Sequence, residues 1–442
     1  MVLQMYDVLK REYGVCPPDC VACEEACIKQ RGSNAAGSAI KVIHVPEVNF
    51  RGVVLCNQCN QPRCREVCPT GAIIKSEADG TVRIMEEKCV GCGLCTLACP
   101  YGGISYDTKI GKSFKCDRCD GEPKCVEACP YGVLSFDSNS RVYHQLGEDV
   151  LTQGSLNCPA CGAELNLRLI LRIFGDGLIT FGCAGCSSVT LFCMEGIGGL
   201  CGQQQRYPSF MCLMTNVASV MTGVRRYYKK MGKEVRTLAF VGDGATSDVG
   251  FQNLSGAAER GENIIYICND NEAYMATGIQ RSGTTPLFSW TTTTPVGEYK
   301  RGKVNMPKYV PFLLASHSGV SYVATATISH LEDFIQKLEK AKAVKEGMVY
   351  LHLFSPCVTG WKSPSNSTIE ISRMAVETNY FPLWEAEDGK FRFTYEPKRP
   401  KPVGEFTRLM GRFSHLTEQE LGNFQDMVDS RLDLIRHSTK RR

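Results

Sequence analysis

The sequence contains no uninterrupted apolar run of the roughly 18 residues that a membrane-spanning helix needs, so no span is expected. The stretch from Met1 to Val15 carries Asp7, Lys10, Arg11 and Glu12 and lacks the apolar core of a secretion signal, so no export leader is expected. A strong charge excess is missing too. The 50 Lys and Arg against 46 Asp and Glu leave +4, too little to suggest a nucleic-acid surface. Histidine is scarce, with 7 residues. His44, ahead of Val45-Pro46, and His352, inside an apolar run, both read as satisfied structural histidines. At 43% apolar and 22% charged, the chain is neither disordered nor collagen-like, and its 442 residues ask for two or three domains.

Cysteine is what the chain has in excess. There are 25, an odd number, bunched at gaps of two to five residues. That is metal-ligand spacing rather than a disulfide framework, and it implies a reducing compartment, the cytoplasm. Sixteen fall before residue 145, in four groups. The first is Cys16-x3-Cys20-x2-Cys23-x3-Cys27, followed by Ile28. The second is Cys56-x2-Cys59-x4-Cys64-x3-Cys68-Pro69, and the third Cys89-x2-Cys92-x2-Cys95-x3-Cys99-Pro100. The fourth is Cys116-x2-Cys119-x5-Cys125-x3-Cys129-Pro130. The third group is the bacterial ferredoxin run, in which three cysteines wrap one [4Fe–4S] cubane and the one before Pro ligates its neighbour. Repeated Cys-Pro is not explained by zinc knuckles. A segment with so little periodic apolar sequence needs metal to fold, so a small α+β ferredoxin-like domain is expected over 1–148.

These four groups resemble the polyferredoxin subunits of molybdenum reductases and formate hydrogenlyases. The resemblance implies that the first group pairs with the fourth and the second with the third. Cys16, Cys20 and Cys23 would then join Cys129, and Cys116, Cys119 and Cys125 would join Cys27. Likewise Cys56, Cys59 and Cys64 would join Cys99, and Cys89, Cys92 and Cys95 would join Cys68. Four clusters in so small a domain make an electron wire rather than a catalytic site.

The remainder reads differently. Apolar runs at Thr237–Val241, Asn263–Cys268, Tyr322–Ala326 and Met348–Phe354 predict buried strands. Helical stretches at Phe210–Met231, Gly250–Arg260 and His330–Glu346 alternate with them, which predicts an α/β parallel sheet with helices on both faces over 149–380. The charges at Lys337–Lys345 read as a solvated face. Residues 381–442 read as an extension with a Pro-rich Lys398–Val403, a helix near Thr417–Ile435 and a solvated basic end, Lys440-Arg441-Arg442.

Val241-Gly242-Asp243-Gly244-Ala245 closes one predicted strand, and Asn271 follows 28 residues after Asp243, just past the end of another. Glycine admits a close backbone approach to phosphate, and Asp and Asn supply hard oxygens for Mg²⁺. Strand carboxyl ends are where open α/β sheets bind ligands. The following Asp270-Asn271-Glu272-Ala273-Tyr274-Met275-Ala276-Thr277-Gly278-Ile279-Gln280, with Thr284-Thr285-Pro286, closely resembles the thiamine-diphosphate subunit of 2-oxoacid:ferredoxin oxidoreductases. So do Cys158-Pro159-Ala160-Cys161-Gly162, Gly185-Cys186-Ser187-Ser188, Ser355-Pro356-Cys357 and Gly360-Trp361. One departure is Gly278-Ile279, where many members have Gly-Gly.

This resemblance implies the thiamine-diphosphate-binding fold, with Mg²⁺ held by Asp243, Asn271 and the Ala273 carbonyl. Around the cofactor it implies Gly185, Cys186, Ser187, Gly242, Gly244, Ala245 and Thr277. It implies CoA-dependent oxidative decarboxylation of a 2-oxoacid, with electrons passing to ferredoxin or to a flavin/NAD-binding subunit. It also implies alpha and gamma partner subunits, one of which brings the glutamate that activates thiamine, so this chain alone would be inactive. Pyruvate, 2-oxoglutarate, branched-chain, indolepyruvate and phenylglyoxylate enzymes share these motifs, and an attached polyferredoxin points to an aryl acid such as phenylglyoxylate. An electron-transfer subunit whose thiamine fold is empty is the competing reading. A non-oxidative decarboxylase would have no use for the clusters.

By spacing alone, Cys158, Cys161, Cys183 and Cys186 make a plausible zinc ribbon. The resemblance instead implies a proximal [4Fe–4S] cluster on Cys158, Cys161, Cys186 and the distant Cys357. Cys183, Cys193, Cys201, Cys212 and Cys268 would then be small buried hydrophobes. Each cubane with its thiolates carries about −2, so five would take the chain from +4 to about −6. Five cubanes predict about 20 Fe and no Zn per chain by metal analysis of anaerobically purified protein, and about 16 Fe with one Zn would restore the ribbon.

Overall fold

The computed structural model describes residues 8–11, 16–17, 19–32, 37–48, 50–59, 62–76, 80–137, 157–175, 177–192 and 208–440. It divides into two compact units, Met1–Gln145 and Leu146–Arg442. The expected boundary at 148, Cys193, Cys201 and the terminal Arg441-Arg442 lie outside the described residues.

The first unit is built of two-stranded antiparallel ladders and very short helices. Lys41–Val45 pairs with Phe50–Val54, Ile73–Lys75 with Val82–Ile84, and Ile104–Asp107 with Lys112–Lys115. Val8–Arg11 pairs with Leu134–Asp137. The helices Ala22–Arg31, Arg63–Glu66, Leu94–Ala98 and Lys124–Glu127 each carry at least one group cysteine. Only a few aliphatic side chains are buried, such as Ile40, Val53, Leu55, Ile73, Val82 and Ile104, and cysteines fill the spaces between them. Such a core is too thin to fold on apolar burial alone.

The second unit holds an eight-stranded sheet. In spatial order its strands are Ser209–Cys212, Leu178–Cys183, Arg236–Gly242, Ile265–Asp270, Met348–Phe354, Val320–Thr327, Leu383–Glu387 and Lys390–Tyr395. The first six run parallel, and the last two add an antiparallel edge. Alternate side chains face opposite layers. Ala239, Val241, Tyr266 and Cys268 pack under helices Val217–Lys230 and Phe251–Glu259. Leu238, Phe240, Ile265 and Ile267 pack under Gly162–Phe174 and Leu331–Ala343. This is the α/β arrangement with helices on both faces.

Three expectations need correction. Phe210 does not begin a helix: Ser209–Cys212 is an edge strand whose Phe210 ring stacks on Phe181, and the helix starts at Val217. Lys337 does not lie on a solvated face. It is 1% exposed and donates to Thr325 O, Asp333 Oδ2 and Thr394 Oγ1. Residues 381–440 are not a tail. They supply the antiparallel edge of the sheet and the helix Glu418–Thr439, whose Phe424, Met427 and Val428 share a core with Phe354 and Trp361. That helix begins in a reciprocal cap between Thr417 and Glu420. Phe424→Ala is therefore expected to cost about 3–5 kcal/mol and to lower the thermal midpoint clearly. An unchanged midpoint by scanning calorimetry would show that the carboxyl-terminal helix lies outside the cooperative core.

Candidate cofactor and metal centre

Gly185, Cys186, Ser187, the Gly242–Ala245 turn, Asn271, Ala273 and Thr277 all line one cavity, at the carboxyl ends of Leu178–Cys183, Arg236–Gly242 and Ile265–Asp270. Nothing lies near the position a Cβ would take on Gly242, so that residue keeps the cavity open. Gly244 serves a different purpose, because its Cβ would collide with the Tyr274 ring. Directly after it, Ala245–Val249 forms a π-turn closed by Gly250 N to Ala245 O, a distortion that often marks functional sites.

The Asn271 carboxamide turns its oxygen toward two other oxygens, Ala273 O at 2.8 Å and Asp243 Oδ1 at 3.1 Å. Three facing acceptors repel one another, and either a reversed amide or a cation among them would relieve this. Neighbouring ligands of an octahedral Mg²⁺ with bonds of about 2.1 Å lie about 3.0 Å apart. The observed spacings fit that geometry. Burial and the nearby Asp270 carboxylate hold the Asp243 carboxyl well above its usual range, a penalty that a bound cation removes.

The surrounding residues fix these oxygens. Ser282 and Thr284 donate to Asp243 Oδ2 at 2.5 and 3.0 Å. Asp270 points elsewhere: one oxygen accepts from Glu272 N and shares the single Thr284 hydroxyl with Asp243, and its other oxygen meets His352 Nε2 at 2.9 Å. Tyr350 OH engages the other ring nitrogen of His352, which is thus a satisfied buried histidine. His44 lies exposed on a strand. Trp361 Nε1 donates to Asn271 O at 3.0 Å. Glu272, at φ +64°, ties the same loop to Arg412 and Tyr380 through two bonds of 2.5 Å. Ile279 also has φ +64°, a conformation in which a β-branched residue is strained and glycine is not.

The proximal cysteines differ in their surroundings. Burial and then Cys357, Cys161 and Cys158 push the Cys186 thiol up to about 12. Cys183 is set apart: its thiol is raised to about 12 by burial, and its cysteine neighbour is Cys212. Cys158, Cys161 and Cys357 thus lie around Cys186, while Cys183 sits beside Cys212. Gly162 permits this, because its Cα rests against Ser355 and Pro356 and leaves no room for a side chain. Gly360 likewise clears Met275 and donates its N–H to Cys357 Sγ. Cys183, Cys212 and Cys268 are buried.

In the first unit, Cys27, Cys116, Cys119 and Cys125 line one cavity, and Cys68, Cys89, Cys92 and Cys95 line another. Cys59, Cys64 and Cys99 surround a third, and Cys56 acts on both Cys59 and Cys64. Cys16, Cys20, Cys23 and Cys129 share one small core, with Cys23 raised to about 11 by burial, Glu24, Cys16 and Cys129. Cysteines of all four expected sets line or border these cavities and cores, and the core around Cys16 also takes in Cys27, Cys116 and Cys125.

Residues 184–353 match the family described as thiamine pyrophosphate enzyme, C-terminal TPP binding domain, and residues 51–139 match the 4Fe-4S dicluster domain. The NADH-dependent phenylglyoxylate dehydrogenase subunit beta of Aromatoleum evansii is 43% identical over 88% of this chain and 87% of its own. This chain belongs to the thiamine-diphosphate-binding beta subunits of the 2-oxoacid oxidoreductases. Pyruvate synthase subunit PorB of Methanothermobacter marburgensis is 44% identical over 64% of this chain and 96% of its own. Ketoisovalerate oxidoreductase subunit VorB of Pyrococcus furiosus is 39% identical over 64% and 90%. Both cover slightly less than the second unit's length, whereas the Aromatoleum chain matches 88% of this beta subunit.

Sequence reasoning missed Met214, Tyr274 and Met275 in the cavity wall, and Ser282, Glu272, Tyr380 and Arg412 behind it. Tyr274, Glu272 and Thr284 stood inside the quoted motif; Arg412 had no local signal. Cys357→Ser in the beta subunit should remove about 4 Fe from the anaerobic complex, and Cys183→Ala none. The opposite pattern would reinstate the ribbon.

Proposed function

We propose that this beta subunit serves in CoA-dependent oxidative decarboxylation of a 2-oxoacid to acyl-CoA and CO₂, holding Mg²⁺–thiamine diphosphate and five [4Fe–4S] clusters. The observation that carries this reading is Cys186, which lines the cofactor cavity and also belongs to the proximal four-cysteine set. A redox centre touching the cofactor site has a use in oxidation and none in simple decarboxylation. Thiamine diphosphate, when bound, supplies the carbon centre that releases CO₂ from the acid, and the clusters carry electrons away singly.

The chain's own residues have distinct duties. Asp243, Asn271 and the Ala273 carbonyl hold Mg²⁺ against the diphosphate. Ser282, Thr284 and Trp361 keep those oxygens aimed. Met214, Met275 and Ala276 give the cavity an apolar wall that excludes water. Among the described residues lining the cavity there is no glutamate, and Glu272 is committed to Arg412 and Tyr380. In this reading an alpha or gamma subunit supplies the activating glutamate, and catalysis belongs to a cytoplasmic assembly. The relative named for phenylglyoxylate and NADH favours an aryl 2-oxoacid and a flavin/NAD-binding acceptor subunit over soluble ferredoxin.

The complex, tagged on this chain and purified without oxygen, should reduce viologen with one acid of a 2-oxoacid panel, phenylglyoxylate first, and only with coenzyme A. No reduction by any acid, combined with absence of bound thiamine, would favour a purely electron-carrying subunit.

A further inference from the structure

The four cysteine sets of the first unit form a linear series. Cys125, of the Cys27 set, shares a core with Cys16 and Cys23 of the Cys16 set. Cys116, also of the Cys27 set, is joined through its carbonyl to Gln58, in the Cys56–Cys59 loop of the next. Cys64 and Cys99 of that set share a core with Cys95 and Cys68 of the last. At the middle junction lies Lys115, the final residue of its strand and 8% exposed. Its ammonium donates to Val82 O, to Cys116 O at 3.1 Å and to Gln58 Oε1 at 3.3 Å. Three neutral oxygens take its three protons, and no carboxylate pairs with it among the described residues.

Gln58 belongs to the loop between Cys56 and Cys59, and its Nε2 donates to Cys116 O at 2.7 Å. One side chain thus ties the cysteine loops of two sets together around Lys115. The lysine lines the cavity of the Cys27 set. On the other side, its bond to Gln58 Oε1 sets the ammonium against the Cys56–Cys59 loop. A buried cation without a counter-ion stabilises added negative charge on whatever lies beside it.

We propose that Lys115 raises the reduction potentials of the two central clusters, those of the Cys27 and Cys56 sets, and so makes them the holding station of the wire. The inference rests on the reading of the four sets as cubanes. The capacity matches the proposed reaction. One 2-oxoacid anion and one thiol give a thioester, CO₂, one proton and two electrons. Each central cubane is reduced by one electron, so the pair stores what one turnover releases until an acceptor subunit removes it.

The test is a redox titration followed by electron paramagnetic resonance on the anaerobic complex, with iron counted in every sample. Lys115→Met with full iron should show two clusters shifted to lower midpoint potential and the others unmoved, whereas Lys115→Arg should keep all midpoints near wild type. Full iron in Lys115→Met with no midpoint moved overturns the proposal. If that variant loses iron, Lys115→Gln, neutral but still a donor, carries the same expectation. Iron loss in both neutral variants overturns it in favour of a structural lysine. A wild-type complex lacking the iron of the four amino-terminal cubanes overturns the cluster reading itself, before any variant is made.

Discussion

A buried thiolate is costly, and this chain gathers cysteines in fours. Burial pushes Cys116, Cys125 and Cys186 to about 12, and neighbouring cysteine sulfurs add to the effect in each case. In that state the sulfurs would stay protonated and the sites would be loosely filled cavities. Iron reverses the balance, because the ligand must be the thiolate and the metal's charge compensates for it. For the first unit this is a condition of folding. Its helices of four or five residues, Arg63–Glu66, Leu94–Ala98 and Lys124–Glu127, cannot persist by helical propensity, and the aliphatic side chains between them are few.

The second unit solves a similar problem differently. Its cofactor site also concentrates groups that repel each other, the oxygens of Asp243, Asn271 and Ala273. Here a large sheet core holds the arrangement in advance. Asp243 follows the end of Arg236–Gly242 and Asn271 follows Ile265–Asp270, neighbouring parallel strands in fixed register. This site is therefore shaped by sheet packing, whereas the thin core of the first unit relies on iron–sulfur bonding.

What was legible in the sequence was whatever chemistry compresses into a short spacing. The cysteine groups, Gly-Asp-Gly and Asn271 could be read directly, because ligands on one turn must lie close in sequence. The strands were legible because buried parallel strands are nearly continuous apolar runs. Two kinds of feature escaped. Lys337 sits on a helix whose charges look solvated, yet it is buried, and only the sheet edge bearing Thr394 completes its hydrogen bonds. Ser209–Cys212 is a four-residue edge strand that reads as the start of the following helix. Neither can be inferred without knowing which segment lies next to it.

The clearest case is Arg412. Nothing in Gly411-Arg412-Phe413 marks it, and 140 residues separate it from Glu272. The Glu272 carboxylate accepts Arg412 Nη2 at 2.5 Å, and the guanidinium lies 3.9 Å over the centre of the Trp361 ring. Trp361 in turn donates to Asn271 O. One buried cation thus grips the Asn271–Ala273 loop from both sides, by its ion pair and through the indole. Burial pushes the Glu272 carboxyl up, and the Arg412 charge pulls it back, so neither group is comfortable without the other. Gly411 is held by Lys362, immediately after Trp361, through its N–H to Lys362 O. The carboxyl-terminal segment is therefore part of the cofactor site by way of two contacts, and the strained φ of Glu272 is sustained by them. A segment that reads as an appendage in sequence determines where the oxygens of Asn271 and Ala273 stand.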